Sequence, residues 1–564
     1  MREHTLGFDR HLARFGTRSL PSYRFDVVVL GGGVAGGMAA LAAARRGLEV
    51  GILTKAGLRE GNTRWARGGL AAVLSPEDSF DSHVADTLRC GRGLCDAEVV
   101  ERIVRGGPGA VEELVGLGAE FDRTPTGSLV LSREGGHSFP RIIHARGDST
   151  GVEIQRALTD ALRAEERITL FPETFAMDLL VDEGCVTGVL ARSSSGQLSV
   201  HAAPNVLLAT GGAGQLYRET TNPVVATGDG LAMALRAGAR LRDLEFVQFH
   251  PTCLYIAGAA RVLISEIVRG AGGRLVDRHG VPFMRDAHPD ADLAPRDVVS
   301  RACFRRMVET EDTSVYLDLS EVEGDPHGLF PGISRTCRMF GMDIARDPIP
   351  VRPGAHYFVG GVEVDADGRG SLPGLWAVGE CASTGLHGAN RMGSNSLLEG
   401  LVLGLRAGES MHADPAPRVL PARSSGGSRR RRPTGDPTVS VNIEDLTYSL
   451  KSMMWRQLGV ERDGAGMAEA VEKLGFWQQV VQDLAEPGPS SWTLLNMLTV
   501  ARCTALSALS REESRGVHFR RDHPEVREAC LAHTVLTPRL EGDRVASLLL
   551  EHAPVRTPAP ASTA

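Results

Sequence analysis

No stretch of this 564-residue chain stays apolar for the roughly 18–20 residues that a membrane-spanning helix needs. The first residues, among them Arg2, Glu3, His4, Asp9, Arg10 and Arg14, lack the apolar core of a secretory leader. No membrane partner is expected, and residues 1–23 read as a loose arm. Cysteine lacks pattern: nine residues, no CxxC pair, and no His-rich segment beside the nearest neighbours, Cys90 and Cys95. That usage predicts reduced thiols in a cytoplasmic protein and argues against disulfides or a metal site. Positive charge is not in excess either. A formal net charge of −7 argues against a general polyanion binder. The basic run Arg429–Arg432 has no aromatic residue interleaved with it, so no nucleic acid partner is expected.

What the chain does have is length and glycine. At 564 residues it exceeds what one hydrophobic core can organise, and two to four domains are expected. Its 66 glycines cluster at Gly31–Gly33, Gly211–Gly212 and Gly360–Gly361. Such clusters mark either ordinary turns or places where backbone comes close to a large ligand.

Residues 25–30 form a β-branched apolar run that is too short for a helix and fits a buried parallel strand. An Ala-rich helix over 36–46 follows, with Gly47 placed to end it, and then a second strand over 49–53. This opens a doubly wound sheet. Two later runs, Val206–Ala209 and Leu375–Val378, have the same character, so the sheet is built from separated pieces of chain. The reading is an α/β protein with a discontinuous dinucleotide-binding domain over 24–249 and 351–412. An inserted domain covers 250–350, and a helical domain covers 441–545. The Pro-, Ser-, Gly- and Arg-rich segment 413–440 reads as a disordered linker, and 546–564 as a flexible tail.

Gly31, Gly32, Gly33, Val34, Ala35 and Gly36 satisfy G-x-G-x-x-G between a strand and a helix. There the glycines permit a tight turn, backbone contact with a pyrophosphate and close helix packing. Lys55 stands where an NAD-binding fold would carry an acid, which weakens a plain NAD reading. Thr210-Gly211-Gly212 and Gly379-Glu380 are strand-end turns suited to a long cofactor, or merely strand ends. Asn395-Ser396-Leu397 opens a helix whose free N–H groups suit the electron-rich end of a flavin, or a simple cap. Gln248, His250, Ser265, Glu266, Arg296, His356 and Arg391 are polar positions that could supply two separated clamps for a dicarboxylate.

Taken in order, these motifs resemble the flavoprotein family of succinate dehydrogenase, fumarate reductase and the L-aspartate oxidases. The match rests on Gly31–Gly36, Arg67-Gly68-Gly69, Arg133–Ser138, Thr221-Asn222-Pro223, Gly228-Asp229-Gly230, Gln248–Thr252, Pro295-Arg296-Asp297, His356-Tyr357, Gly388–Arg391 and Ser394–Glu399. It covers about 25–410 and resumes at Arg511–Gly516. The resemblance implies a Rossmann-like FAD domain, an inserted α+β capping domain and a C-terminal helical domain. It places FAD contacts at Gly32–Ala35, Lys55, Asn62, Thr63, Gly68, Gly69, Asp229, Glu380, Ser396 and Leu397.

Two features bring the chain nearer the L-aspartate oxidases. Asn62 stands where respiratory members carry the histidine that binds FAD covalently, which implies non-covalent FAD. Glu134, in Arg-Glu-Gly-Gly-His-Ser, inherits contact with a substrate amino group, since a carboxylate complements an ammonium. The implied reaction is oxidation of L-aspartate to iminoaspartate, with dioxygen or fumarate as acceptor, feeding NAD biosynthesis through quinolinate. A transient hand-off to quinolinate synthase is conceivable on the same grounds. Arg296 resembles the family's proton-transfer residue, with an electrostatic role as its alternative. His250 and Ser265 would hold one carboxylate, and His356 and Arg391 the other. Arg67 in place of Gln, Ser265 in place of Thr and Ala271 in place of an acid are departures. A fumarate reductase-like enzyme and a non-catalytic flavin-binding scaffold are the competing readings.

Overall fold

The structure, a computed structural model, describes residues 2–256, 258, 261–412 and 441–555. Short apolar strands at Val27–Leu30, Val50–Leu53, Ile168–Phe171, Asn205–Leu208 and Leu375–Ala377 form one parallel sheet. The 27–30 strand lies between 205–208 and 50–53, with Val27 opposite both Asn205 and Val50. These strands are buried on both faces, as a doubly covered parallel sheet requires. Helix α1 (Val34–Arg45) follows the 27–30 strand and buries every residue but Arg45. Gly47 then turns the chain at φ +87°. Helix α2 (Asp229–Ala237) starts from Gly228, whose φ of +76° aims the helix N-terminus at the same strand ends. Residues just past these strands, Gly31, Lys55, Ala209 and Val378, all line one cavity. A parallel sheet places its ligands at that edge.

From Val247–Leu254 the chain enters an antiparallel sheet completed by Arg274–Val276, Val315–Asp318 and Ile349–Phe358. With helix α3 (Arg296–Glu309) it encloses a core of its own, including Leu275, Val299, Leu317 and Ile349. The chain then returns to the parallel sheet as helix α4 (Asn395–Ser410), which packs along α1. Helices α5 (Ile443–Gln457), α6 (Gly464–Leu484) and α7 (Pro489–Ser510) follow. Their buried residues, Met454 and Leu498 among them, share one cluster with Val28 and Leu208 of the sheet.

Two expectations are corrected. Residues Arg2–Asp9 are not part of a loose arm but a strand, paired antiparallel with Arg544–Pro554. Leu6 and Phe8 alternate into the core, a signal hidden by the charged residues at the start. The flexible tail drawn from 546 likewise overlaps a strand as far as Pro554, the second arm of a hairpin with Ala532–Glu541. Val545, Leu548 and Leu550 are its buried face. The expected linker 413–440 lies outside the described residues, as does the chain beyond 555. Among the described residues no helix is long and apolar enough to cross a membrane.

Candidate active site

The cavity at the strand ends holds about 1720 Å³ of open space including its mouth. Its lining runs without a break from Gly31 and Lys55 to His250 and Arg391, so the glycine-rich turn and the cluster of imidazoles and guanidiniums share one space. Of the residues singled out from sequence for cofactor or substrate, all but Gly36, Gly212, Gln248 and Asn395 line it.

Gly31 takes φ +114°, and a Cβ there would lie 2.2 Å from Ala209 O. A Cβ on Gly36 would lie 2.1 Å from Gly31 O, so Gly36 serves the packing of α1 rather than the cavity wall. Gln155, which sequence reasoning missed, holds this turn by donating from Nε2 to Gly32 O and Leu58 O at 3.0 and 3.1 Å. The Val34 N–H donates to Thr63 Oγ1 at 2.9 Å. The next N–H groups of α1, at Ala35 and Gly36, have no partner within the helix and carry its positive dipole end. Nearby, Asn62 Nδ2 donates to Glu380 Oε2 at 2.6 Å, while Asn62 Oδ1 is buried without a partner. Burial raises the Glu380 pKa. Lys55 Nζ pairs with Asp229 Oδ2 at 2.9 Å, which resolves why a lysine stands in the acid's place. Glycines that give way to ligand, helix N-termini and a lining lysine are a donor set suited to a dinucleotide diphosphate.

A second cluster lies against the capping sheet. Arg296, at the start of α3, donates from Nε to Glu266 Oε2 at 2.9 Å and from Nη1 to Gln248 Oε1 at 3.2 Å. Arg391 donates from Nη1 to the same Gln248 oxygen at 3.3 Å and from Nη2 to Ser396 Oγ at 2.6 Å. Gln248 therefore sits behind the two guanidiniums and spaces them, instead of forming the wall expected from sequence. Arg391 rests on the Tyr357 ring at 4.8 Å, and its Nε has no partner. Burial and the charge of Arg296 bring its pKa down to about 10, which leaves it a cation at neutral pH.

His250 and His356 lie edge to face, 5.2 Å between centroids. Burial and then the nearby guanidiniums push both imidazoles well below the usual range, so both are neutral. The Thr252 N–H donates to His250 Nδ1 at 3.3 Å, so Nε2 carries the proton of His250. His356 Nδ1 meets Thr221 Oγ1 at 2.9 Å. Ser265 is buried and lines the cavity on the same side.

Glu134 completes the wall. Its Oε2 accepts from Ser394 Oγ at 2.7 Å, and its Oε1 is buried with no donor. Ser394 holds φ +61°, a strained conformation for a residue other than glycine, just before α4. A Cβ on Gly393 would lie 2.7 Å from Glu134 Oε2 and 3.0 Å from Arg296 Nη2, so both side chains converge over that glycine.

An FAD binding domain model matches residues 26–397, and a fumarate reductase flavoprotein C-terminal model matches 447–559. L-aspartate oxidase of Streptomyces coelicolor is 44% identical over 536 residues, covering 92% of each chain. That of Mycobacterium tuberculosis is 46% identical over 503 residues, 88% of this chain and 92% of its own. The chain belongs to the L-aspartate oxidase family. As a member of that family it binds FAD, and the diphosphate cradle at Gly31–Ala35 fits that cofactor. The architecture is shared more widely. The E. coli quinol fumarate reductase FrdA, solved as a variant, superposes with TM-score 0.87 at 33% identity, covering 96% of this chain and 99% of that one. Sdh1 of Mycobacterium smegmatis, in complex with UQ1, gives 0.82 at 35% identity and 96% of both chains.

Proposed function

We propose that this enzyme oxidises L-aspartate to iminoaspartate, the first step of a route to NAD through quinolinate. The observation that carries the reading is Glu134 Oε1, a buried acceptor without a donor, on a residue that lines the same cavity as the guanidiniums of Arg296 and Arg391 and the imidazoles of His250 and His356. Cationic and N–H donors call for carboxylates, and the orphaned oxygen calls for an ammonium; an α-amino dicarboxylate supplies both. His250 Nε2–H and Ser265 hold one carboxylate, and Arg391 with His356 holds the other. Glu134 Oε1 receives the ammonium and takes the proton that nitrogen sheds as C2 loses its hydride. Arg296 has Nε and Nη1 engaged, which leaves Nη2 on the Glu134 side as the atom where a proton is held or passed.

FAD, when bound, would supply the hydride acceptor, with dioxygen or fumarate as the final electron acceptor. Its binding is non-covalent: Asn62, with an amide in place of an imidazole, lines that part of the cavity. The protein acts in the cytoplasm, consistent with nine free cysteines. A direct hand-off of the labile imine to quinolinate synthase belongs to the same proposal.

Anaerobic titration tests the reading. L-aspartate should bleach the flavin absorbance, succinate should do so poorly, and fumarate should restore the colour. Bleaching by succinate as readily as by aspartate would instead make this a succinate dehydrogenase-like enzyme. A flavin indifferent to both would leave only a scaffold.

A further inference from the structure

We propose that helix α7, in the C-terminal region, is the rear wall of the FAD site, and that Asn496 is a positioning residue that sets Asp229 and Lys55 for the cofactor. The proposal rests on the assignment of the Lys55 and Asp229 region to FAD. Trp492, Asn496 and Val500 recur every four residues and so share one face of α7. Each meets a different part of the cavity lining. Trp492 stacks on Phe175, with ring centroids 6.4 Å apart and planes 3° from parallel. Phe175 lines the cavity with the Lys55 ammonium 5.2 Å from its ring centre. Val500 closes on the start of α2, where a Cβ on Gly228 would lie 3.1 Å from its Cγ2.

Asn496 makes the polar link. Its Oδ1 accepts from Arg236 Nη1 at 2.6 Å. A guanidinium can only donate, so this contact fixes the amide orientation and turns Nδ2 toward Asp229. Nδ2 then donates to Asp229 Oδ1 at 2.7 Å. The other carboxylate oxygen, Oδ2, accepts from Lys55 Nζ at 2.9 Å and from Thr227 Oγ1 at 2.8 Å. Arg236 is held in turn by Asp178 Oδ1 at 2.9 Å. Asn496 is fully buried, so no water substitutes for it at the carboxylate. With its donor removed, Asp229 Oδ1 loses its hydrogen bond on the α7 side and the carboxylate turns toward Lys55. The ammonium is then drawn away from the cavity it lines. Because α7 and the cofactor meet the same residues, docking of one favours the other, and the linkage is reciprocal.

The test compares FAD binding by the full-length apoprotein, followed by quenching of flavin fluorescence, in wild type, Asn496→Asp and Asn496→Leu. Asn496→Asp keeps the size and the acceptor that faces Arg236 and loses the donor that faces Asp229. The expected result is a rise of at least about tenfold in the FAD dissociation constant for both variants. In wild type, FAD should also slow amide exchange across Trp492–Val500. A merely structural role would lower the melting temperature of the variants and leave the dissociation constant unchanged, which overturns the proposal. So would exchange in α7 that ignores FAD. Failure of the wild type itself to take up FAD is a different outcome, since it removes the cofactor assignment on which the proposal stands.

Discussion

At Glu134 a single oxygen atom distinguishes an amino diacid from a plain one. A buried acceptor without a donor costs about 1–3 kcal/mol, and an incoming ammonium removes that cost while succinate or fumarate cannot. Glu134→Gln replaces the carboxylate by an amide whose NH2 group repels an ammonium. We expect kcat/KM for L-aspartate to fall by about 100-fold, roughly 2.7 kcal/mol, and fumarate reduction to fall by less than about tenfold. Steady-state kinetics with both substrates checks this, and equal losses would remove Glu134 from its role. Most of this wall was legible in the sequence because His250, Arg296, His356 and Arg391 sit in Gly- or Pro-flanked motifs, while Glu134 was reached only through the family resemblance. Gln248 was read as a ligand on the same grounds, yet its amide is spent on spacing two arginines, and motif membership cannot tell a wall from its backing. Phe175, Gln155 and Asn496 were not legible. Each lies inside a regular strand or helix, with no local signal that its far side faces a cofactor.

The elements that aim this wall are helices in unusually close contact. Gly400, Gly404 and Gly408 form a stripe on α4 against α1. A Cβ on Gly404 would lie 2.5 Å from Ala35 O, and one on Gly408 would lie 2.3 Å from Ala39 O. Both helices present their N-termini to the cavity, α1 at Ala35 and α4 at Ser396 and Leu397. Gly404→Ala would gain helix propensity in isolation, but here backbone blocks the methyl group and the helices must separate. The expected outcome is a loss of about 1–3 kcal/mol in stability, as for overpacked cores, together with weaker FAD retention on gel filtration. A variant that is as stable as wild type and keeps its flavin would show that the contact has slack. Sequence reasoning found α1 and the opening of α4 from composition and turn residues. It missed the Arg2–Asp9 strand and the 544–554 strand because each begins in charge and reveals its alternation only beside its partner.

Across the whole molecule, the cavity is drawn from segments between Leu30 and Gly400, and no spacing rule says which of them meet. Only the family resemblance joined them before the fold did. One property belongs to the assembled molecule alone, its response to pH. Burial brings His83 to about 4 and His137 to about 3, and burial with nearby guanidiniums holds His250 and His356 well below 6.5. Between those values and 6.5 the unfolded chain binds protons that the native one refuses, so stability falls as pH falls through that window. Each such histidine contributes at most about 1.4 kcal/mol per pH unit. Glu266 and Glu399, both held below the usual carboxylate range, act in the same direction below 4.5. On the alkaline side, burial raises the thiols of Cys303 and Cys503 to about 12 and those of Cys337 and Cys381 to about 11. Above 9.0 the unfolded chain loses thiol protons that the native one keeps, so stability falls again as pH rises. Urea unfolding at fixed, saturating FAD should therefore give a midpoint near pH 7.5 higher than those at pH 5 and pH 10. If the midpoint at pH 5 equals that at pH 7.5, the histidines around the substrate cavity are not held neutral, and the hydrogen-bonding roles assigned to His250 and His356 lose their basis.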